Sequence, residues 1–190
     1  QSIKLADLIG NENIFNGIQT SDNRIYVHYA TNEDDNYFYF NLDDEEWKVE
    51  KELTRPYFQT SRGIDNLNTY RILNPNSFVI YPYKNENGRI NFVNIETLHS
   101  EYPETFRFFE NYSEELKKRD IKPEPETNEE WYRFGRHQSL EKCDVPAKIV
   151  VGVLSQGDKY AIDTSHTFIS SGGTAGYCMV TLPENFPYSI

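Results

Sequence analysis

The sequence predicts a β-rich α+β fold: mixed or antiparallel strands, a few helices, and two small lobes joined by a helical connector. Three observations predict it. Apolar mass comes largely from Tyr and Phe, since aromatics make up 15% of residues and all hydrophobics 37%; that bias favours strands. Alternating patterns and short apolar runs recur between turn-forming clusters. One stretch, 94–119, breaks the habit and carries helical spacing. At 190 residues the chain is one domain, or two lobes sharing a core. It divides into an N-terminal β-rich part (1–93), a helical connector (94–130) and a C-terminal β-meander (131–190).

Taken in order, 5–9 is a short apolar start, either a helical turn or a strand. Gly17 then permits a tight backbone turn. Thr20, Ser21, Asp22 and Asn23 are turn formers whose side chains can bond backbone or a ligand. Residues 24–29 alternate and read as a strand, as do 37–42, which lead into an acidic turn. Residues 49–57 read as a short helix ended by Pro56. An exposed loop follows around Arg62. Strands at 70–73 and 77–83 flank the turn signal Asn74-Pro75-Asn76. Asn85-Glu-Asn-Gly88 is a hairpin-like turn before a strand at 89–93.

In 94–119, Ile95, Leu98, Phe108, Phe109, Tyr112 and Leu116 recur at helical spacing. Pro103 suits the first turn of a new helix. Lys117-Lys-Arg119 complements the helix dipole and reads as a solvated helix end rather than a binding patch. Residues 121–130, with Pro123 and Pro125, form an irregular connector. Trp131 opens the last part. It carries strands at 149–154, 160–162, 167–169 and 177–182, with polar loops at one end.

Charge limits the partners. The net charge is −11, whereas phosphate contact needs a basic surface. The acid is concentrated in two blocks, 33–46 and 124–130, and the last third is nearly balanced. A local basic face is therefore compatible with an acidic chain, although tight DNA binding by this chain alone is not expected. Mean hydropathy is −0.72, yet aromatics are spread along the chain, which argues against disorder. No apolar run approaches the roughly 18 residues of a membrane helix. The start, Gln-Ser-Ile-Lys-Leu, lacks the order of a signal peptide. It also lacks Met, so the chain is expected to be cut from something larger. Cys143 and Cys178 read as buried thiols in a reducing cytoplasm, not as a disulfide.

Catalytic constellations are missing. The four histidines, at 28, 99, 137 and 166, have no partner at metal-ligand spacing. There is no G-x-S-x-G elbow and no Walker loop. Ser171-Gly-Gly-Thr-Ala-Gly176 is glycine-rich but enters a strand, which disfavours a dinucleotide site. Asp43-Asp44 and Glu45-Glu46 read as a solvated turn rather than as general acids.

Several motifs together carry a family resemblance. They are Trp131-Tyr-Arg-Phe-Gly-Arg-His-Gln-Ser-Leu140, then Lys148-Ile-Val, then Ser171-Gly-Gly-Thr-Ala-Gly-Tyr177. Phe15-Asn-Gly-Ile-Gln-Thr, Glu52-Leu-Thr-Arg-Pro56 with Arg62-Gly-Ile-Asp, and Phe78-Val-Ile-Tyr-Pro-Tyr83 precede them in matching order. The chain resembles the TaqI-like C-terminal specificity domain, found in N6-adenine DNA methyltransferases and in type IIG restriction–modification enzymes. It departs from those enzymes in lacking an (Asn/Asp)-Pro-Pro-(Tyr/Phe) motif; Asn74-Pro75-Asn76-Ser77 is the nearest string. It also lacks an S-adenosylmethionine loop and a nuclease carboxylate cluster, and it ends where the family runs on into a helical segment.

The resemblance implies a non-catalytic recognition domain excised from a larger enzyme. Its partners would be double-stranded DNA and the methyltransferase domain of the same parent chain. The cofactor S-adenosylmethionine would belong to the parent alone. Arg133, Arg136 and Gln138 are the leading base readers, because Arg pairs with guanine and Gln with adenine through two hydrogen bonds each. Their structural alternative is salt bridging with Glu129 and Glu130. Thr20, Ser21 and Asn23 would touch phosphates or bases, or simply form a turn. Arg62 and Lys148 would sit on phosphates, with a strand-edge charge as the alternative for Lys148. Ser170, Ser171, Gly172 and Gly173 form a loop able to approach DNA, or a tight β turn. His137 is ambiguous, and Trp131 and Tyr132 read as core aromatics. A protein- or carbohydrate-binding module is the other class that fits the acidic charge and aromatic strands; a hydrolase lacks its nucleophile and base.

Overall fold

The computed structural model describes residues 5–59, 71–86, 89–145, 147–152, 159–171 and 177–181. The fold is β-rich α+β with mixed sheets, as the composition predicts. Helix α1 (Leu5–Ile9) precedes strand β1 (Ile14–Asn16), the one-turn helix α2 (Asn23–Tyr26) and strand β2 (Val27–His28). The expected strand at 24–29 therefore begins as a helical turn. Asp22 causes this by accepting a hydrogen bond from Ile25 N and capping the turn.

Strands β3 (Asn32–Glu33), β4 (Tyr37–Leu42) and β5 (Glu45–Glu50) form one antiparallel sheet. Asp43 and Asp44 join β4 to β5 with φ of 53° and 63°. Both are left-handed, the geometry of a two-residue hairpin. The acidic pair is thus a turn. The Arg24 guanidinium, 2.8 Å away, holds the Asp43 carboxyl below its ordinary range.

The helix expected at 49–57 does not form. Residue 50 ends β5, Lys51–Leu53 make a 3-10 turn, and β6 (Thr54–Phe58) runs straight through Pro56. Pro56 is tolerated because β6 meets its second neighbour only at Tyr57 and Phe58. Next come β7 (Arg71–Ile72), β8 (Ser77–Ile80), β9 (Tyr83–Glu86) and β10 (Arg89–Phe92). The single strand expected at 77–83 is two, parted at Tyr81-Pro82. Strands β9 and β10 pair antiparallel, as a hairpin must, although part of its turn lies outside the described residues.

Helices α3 (Ile95–Glu101), α4 (Pro103–Asn111) and α5 (Ser113–Leu116) fill the stretch read as helical, with Pro103 in the first turn of α4. The buried Glu50 carboxylate accepts from the backbone of Glu104 and Thr105 at 3.0 and 2.8 Å. That anion satisfies the open amides of the α4 start. A short helix α6 (Leu140–Cys143) leads to β11 (Lys148–Gly152), β12 (Tyr160–Asp163), β13 (Phe168–Ile169) and β14 (Tyr177–Val180). Cys143 and Cys178 are both free.

The last third is not a sequential meander. The five-stranded sheet runs β1-β14-β11-β12-β7, and β13 leaves it to pair in parallel with β6 in the sheet β13-β6-β8-β2. Early and late strands thus share sheets, and the buried apolar residues form one contiguous cluster that reaches from Phe15 to Met179. Aromatic rings dominate it: Phe40, Phe78 and Phe108 surround His28, whose ring stacks on Phe40 at 3.9 Å.

His28 donates from Nε2 to Ile25 O at 2.8 Å. Burial, aided by the Arg24 charge, pushes its pKa down to about 4 from 6.5. The native imidazole stays neutral while the unfolded one takes a proton. Its stabilising contribution is complete above pH 6.5 and falls as the pH drops toward 4. Between pH 7 and 5 the protein should lose about 2 kcal/mol through this group. Urea unfolding of His28→Phe should show a flatter pH dependence over that window, and an unchanged slope would contradict the assignment.

Candidate functional site

Three distant stretches meet through short main-chain pairings. Ile18 lies beside Ser170, Gln19 beside Arg136, and Arg136 beside Lys122. Main-chain hydrogen bonds hold this ribbon. Ile18 N donates to Ile169 O at 2.8 Å, Ser171 N to Ile18 O at 2.6 Å, Gly135 N to Thr20 O at 2.9 Å and Lys122 N to Gly135 O at 2.8 Å. Two glycines make the approach possible. A Cβ on Gly17 would lie 2.0 Å from Ile169 O, and one on Gly135 would lie 1.8 Å from Ser21 Oγ. Gly17 was read as a turn residue; its work is this close passage of two backbones.

The early turn is built by its own side chains. Thr20 Oγ1 donates to Asn23 Oδ1 at 2.7 Å and accepts from Asp22 N at 3.1 Å. Thr20 is buried, so it shapes the turn rather than offering a contact. Ser21, at φ 63°, and Asn23 are exposed. Burial raises the Tyr57 pKa to about 12, with the nearby Ser170 and Asn23 side chains acting in the opposite sense.

Arg136 and Gln138 project from the ribbon, and both are partly committed. Arg136 Nη1 donates to Asp120 O at 2.6 Å and Gly135 O at 2.7 Å, and Nη2 donates to Asp120 Oδ2 at 2.9 Å. This pair holds the Asp120 carboxyl below its ordinary range. Nε and the second Nη2 hydrogen meet no acceptor among the described residues, and the side chain is 33% exposed. One two-donor edge of the guanidinium therefore remains available. Gln138 Nε2 donates to Ser171 Oγ at 2.6 Å and Gly17 O at 3.2 Å. His137 is exposed between them, and burial of its ring together with the Arg133 charge lowers its pKa.

Two expected DNA contacts, the base reader Arg133 and the phosphate contact Lys148, lie elsewhere. Arg133 is paired with Glu130, its guanidinium only 13% exposed, which is the internal salt bridge weighed above. Lys148 is a correction. Its side chain is fully buried, 2.6 Å from Asp163 Oδ2 and 2.8 Å from Cys143 O. It starts β11, an inner strand of its sheet, so neither a phosphate contact nor a strand-edge charge fits. Burial alone would raise the Asp163 pKa, but hydrogen bonds from Lys148 and Thr167 outweigh it and leave the carboxyl low. Arg62, Gly172 and Gly173 lie outside the described residues.

Sequence reasoning missed two features. Arg119 ends no solvated helix. Its guanidinium donates to Thr20 O, Trp131 O, Arg133 O and the Tyr26 hydroxyl, at 2.7 to 3.1 Å. Nothing in the spacing signals these partners, which lie 12 to 99 positions away. Beside it opens a groove of about 530 Å³, walled by Lys117, Arg119, Lys122, Thr127 and Trp131. Lys117 Nζ sits 5.6 Å from the Trp131 ring centre. The basic run was visible, but its facing aromatic was not. Three cations meet two carboxylates there, Asp120 and Glu124, on a chain of net charge −11. The groove shares Asp120 and Lys122 with the ribbon. A second hollow of about 550 Å³ is lined by Glu126, Glu129 and Glu130 together with Arg133 and His137, over Phe92 and Ile95, and three carboxylates face one guanidinium there. Among the described residues no group of three or more His, Cys, Asp or Glu is placed to hold a metal ion, and no helix is long and apolar enough to cross a membrane.

No protein-family model matches the chain. It is similar to "Type II restriction enzyme and methyltransferase RM.Eco57I" of Escherichia coli, with 49% identity over 193 aligned residues. The alignment takes in all of this chain and 19% of that protein, so the chain spans about a fifth of its relative's length.

Removing one partner of the Lys148–Asp163 pair leaves a buried charge uncompensated. Lys148→Ala should cost about 3–5 kcal/mol in urea unfolding. The paired change Lys148→Met with Asp163→Leu should recover most of that loss. A fully stable Lys148→Ala would refute the burial.

Proposed function

We infer that the chain is a sequence-specific DNA target-recognition domain, of the TaqI-like kind, within an adenine-N6 DNA methyltransferase or type IIG restriction–modification enzyme. It has no catalytic role of its own. The observation that carries this reading is the convergence of Ser21, Asn23, Arg136, Gln138, Ser170 and Ser171 on one ribbon and the turn that enters it. Those residues were singled out from three separate motifs. Whole-length similarity to a restriction and methyltransferase protein supports it.

In this reading the parent flips an adenine from the duplex into its methyltransferase domain. The present chain holds the DNA and reads its sequence. The open edge of Arg136 suits guanine O6 and N7, or a phosphate. Lys117 and Lys122 line the groove that continues from the ribbon and suit phosphates, which fix register without reading sequence. The acidic hollow repels phosphate and suits the methyltransferase domain of the same parent chain. Work on chromosomal DNA places the enzyme in the cytoplasm.

S-adenosylmethionine does not fit the described residues. Asn74-Pro75-Asn76-Ser77 lacks the second proline and the aromatic ring of the methyltransferase motif. The Asn76 and Ser77 side chains are spent on a turn: Asn76 Oδ1 accepts from Gln59 N at 2.9 Å, and the Ser77 hydroxyl donates to Tyr57 O at 3.0 Å. The cofactor is therefore assigned to the parent, and no step is routed through it here.

A domain exchange tests the reading. Placing this chain in RM.Eco57I, in place of the matching segment, should make the hybrid methylate the sequence that the chain's own parent enzyme methylates. An active hybrid that keeps RM.Eco57I sites where the parent's sites differ would sink the assignment. For the groove, Lys117→Gln with Lys122→Gln should weaken DNA binding uniformly across sequences. The slope of log K against log salt should become shallower by about 2, near one unit per lost phosphate contact. An unaltered slope would remove these lysines from the interface.

A further inference from the structure

The Gln138 amide is held in one orientation, and this sets what it can read. Nε2 faces Gly17 O, which can only accept. Turning the amide over would oppose two oxygens, so the hydrogen-bond network fixes the assignment. Both acceptors are themselves fixed. Gly17 passes against the Ile169 backbone too closely for any side chain, and Ser171 is tied through its own N–H to Ile18 O. The two amide hydrogens therefore point into the protein.

Oε1 is what remains. It accepts no hydrogen bond from the described residues, and it is absent from the buried side-chain atoms left without partners. A ligand atom can reach it. Beside it the Ser171 hydroxyl accepts from Nε2 and keeps its own hydrogen to donate. A Gln that grips adenine with two hydrogen bonds needs Nε2 free as a donor to N7. Here Nε2 is not free, so the two-bond contact to adenine expected of this residue is closed to it.

We propose that Gln138 is a specificity-determining residue that reads an exocyclic base amine, N6 of adenine or N4 of cytosine, through its carbonyl oxygen alone. This rests on the DNA-recognition reading above. In the major groove those amines are the hydrogen-bond donors, while guanine O6 and thymine O4 are acceptors that a carbonyl oxygen repels. Ser171 acts as a positioning residue, because its hydroxyl holds the amide in place.

The test begins by selecting preferred duplexes from a randomised pool with the methylation-competent RM.Eco57I hybrid that carries the wild-type chain. Each adenine or cytosine amine in the selected site is then replaced by hydrogen, one position at a time, using purine or 2-pyrimidinone nucleotides. One such replacement should weaken wild-type binding about two- to twelve-fold, the range of one neutral hydrogen bond. The same replacement should leave Gln138→Met unaffected. Ser171→Ala should show a reduced response at that same position. If wild-type protein selects no sequence, the DNA-recognition reading fails and this inference with it. If it selects a site but no amine matters, or Gln138→Met still feels the loss, only the Gln138 assignment is overturned. The amine scan on wild-type protein decides even where a variant does not fold.

Discussion

The Arg119 guanidinium is the joint on which the rest of the architecture depends. It follows α5 and reaches three backbone carbonyls and a buried phenol that no secondary structure brings together. Its Nε also returns to Leu116 O at 3.1 Å, closing the end of α5. The plane of the guanidinium lies over the Tyr26 ring, 5.1 Å from its centre. Only Arg offers five donors in a flat fork that can serve such divergent acceptors. Thr20 O, which it holds, also receives Gly135 N, the first bond of the ribbon. A residue whose donors are turned to the protein's own carbonyls thus sets where the polar ribbon lies. Losing it would strand several carbonyls in a region partly shielded from water.

Charge is partitioned by burial. Lys148 and Asp163 neutralise each other inside the sheet, Arg133 and Glu130 do so near the surface, and Arg24 bridges Asp43 and Glu115. These pairs remove cations from the surface of an already acidic chain. The cations left near the ribbon gather in the groove of Lys117 and Lys122. Lys122 is itself drawn to Asp120 and Glu124, so phosphate would have to compete for it. This is consistent with a module that works beside a larger partner rather than as a free-standing DNA binder.

Much of the fold was legible in the sequence. Tyr37–Leu42, Tyr160–Asp163 and the helices from Ile95 onward follow from side-chain periodicity. The failures share a cause: a local signal was outweighed by a distant partner. Pro56 looked like a helix stop, yet the sheet leaves its missing N–H unneeded. Lys148 looked like an edge charge because Asp163 is fifteen positions on and out of view. Phe168–Ile169 read as the next strand of a meander but pairs with Tyr57 and Phe58. The candidate site was legible by residue type in Ser21, Asn23, Arg136, Gln138 and Ser171. It was not legible in Arg119 or Trp131, whose partners only the folded chain supplies.

The ribbon has a consequence for how such a chain diversifies. Place along it is set by peptide groups, which every amino acid carries, together with the buried side chains of Ile18, Thr20 and Ile169 and the reach of Arg119 to Thr20 O. Steric exclusion forbids replacement only at Gly17 and Gly135. Exchange at exposed neighbours such as Ser21 and His137 leaves those main-chain bonds in place. Descendants of one ancestor can therefore vary the chemistry displayed beside the ribbon at such positions, while its buried members stay fixed.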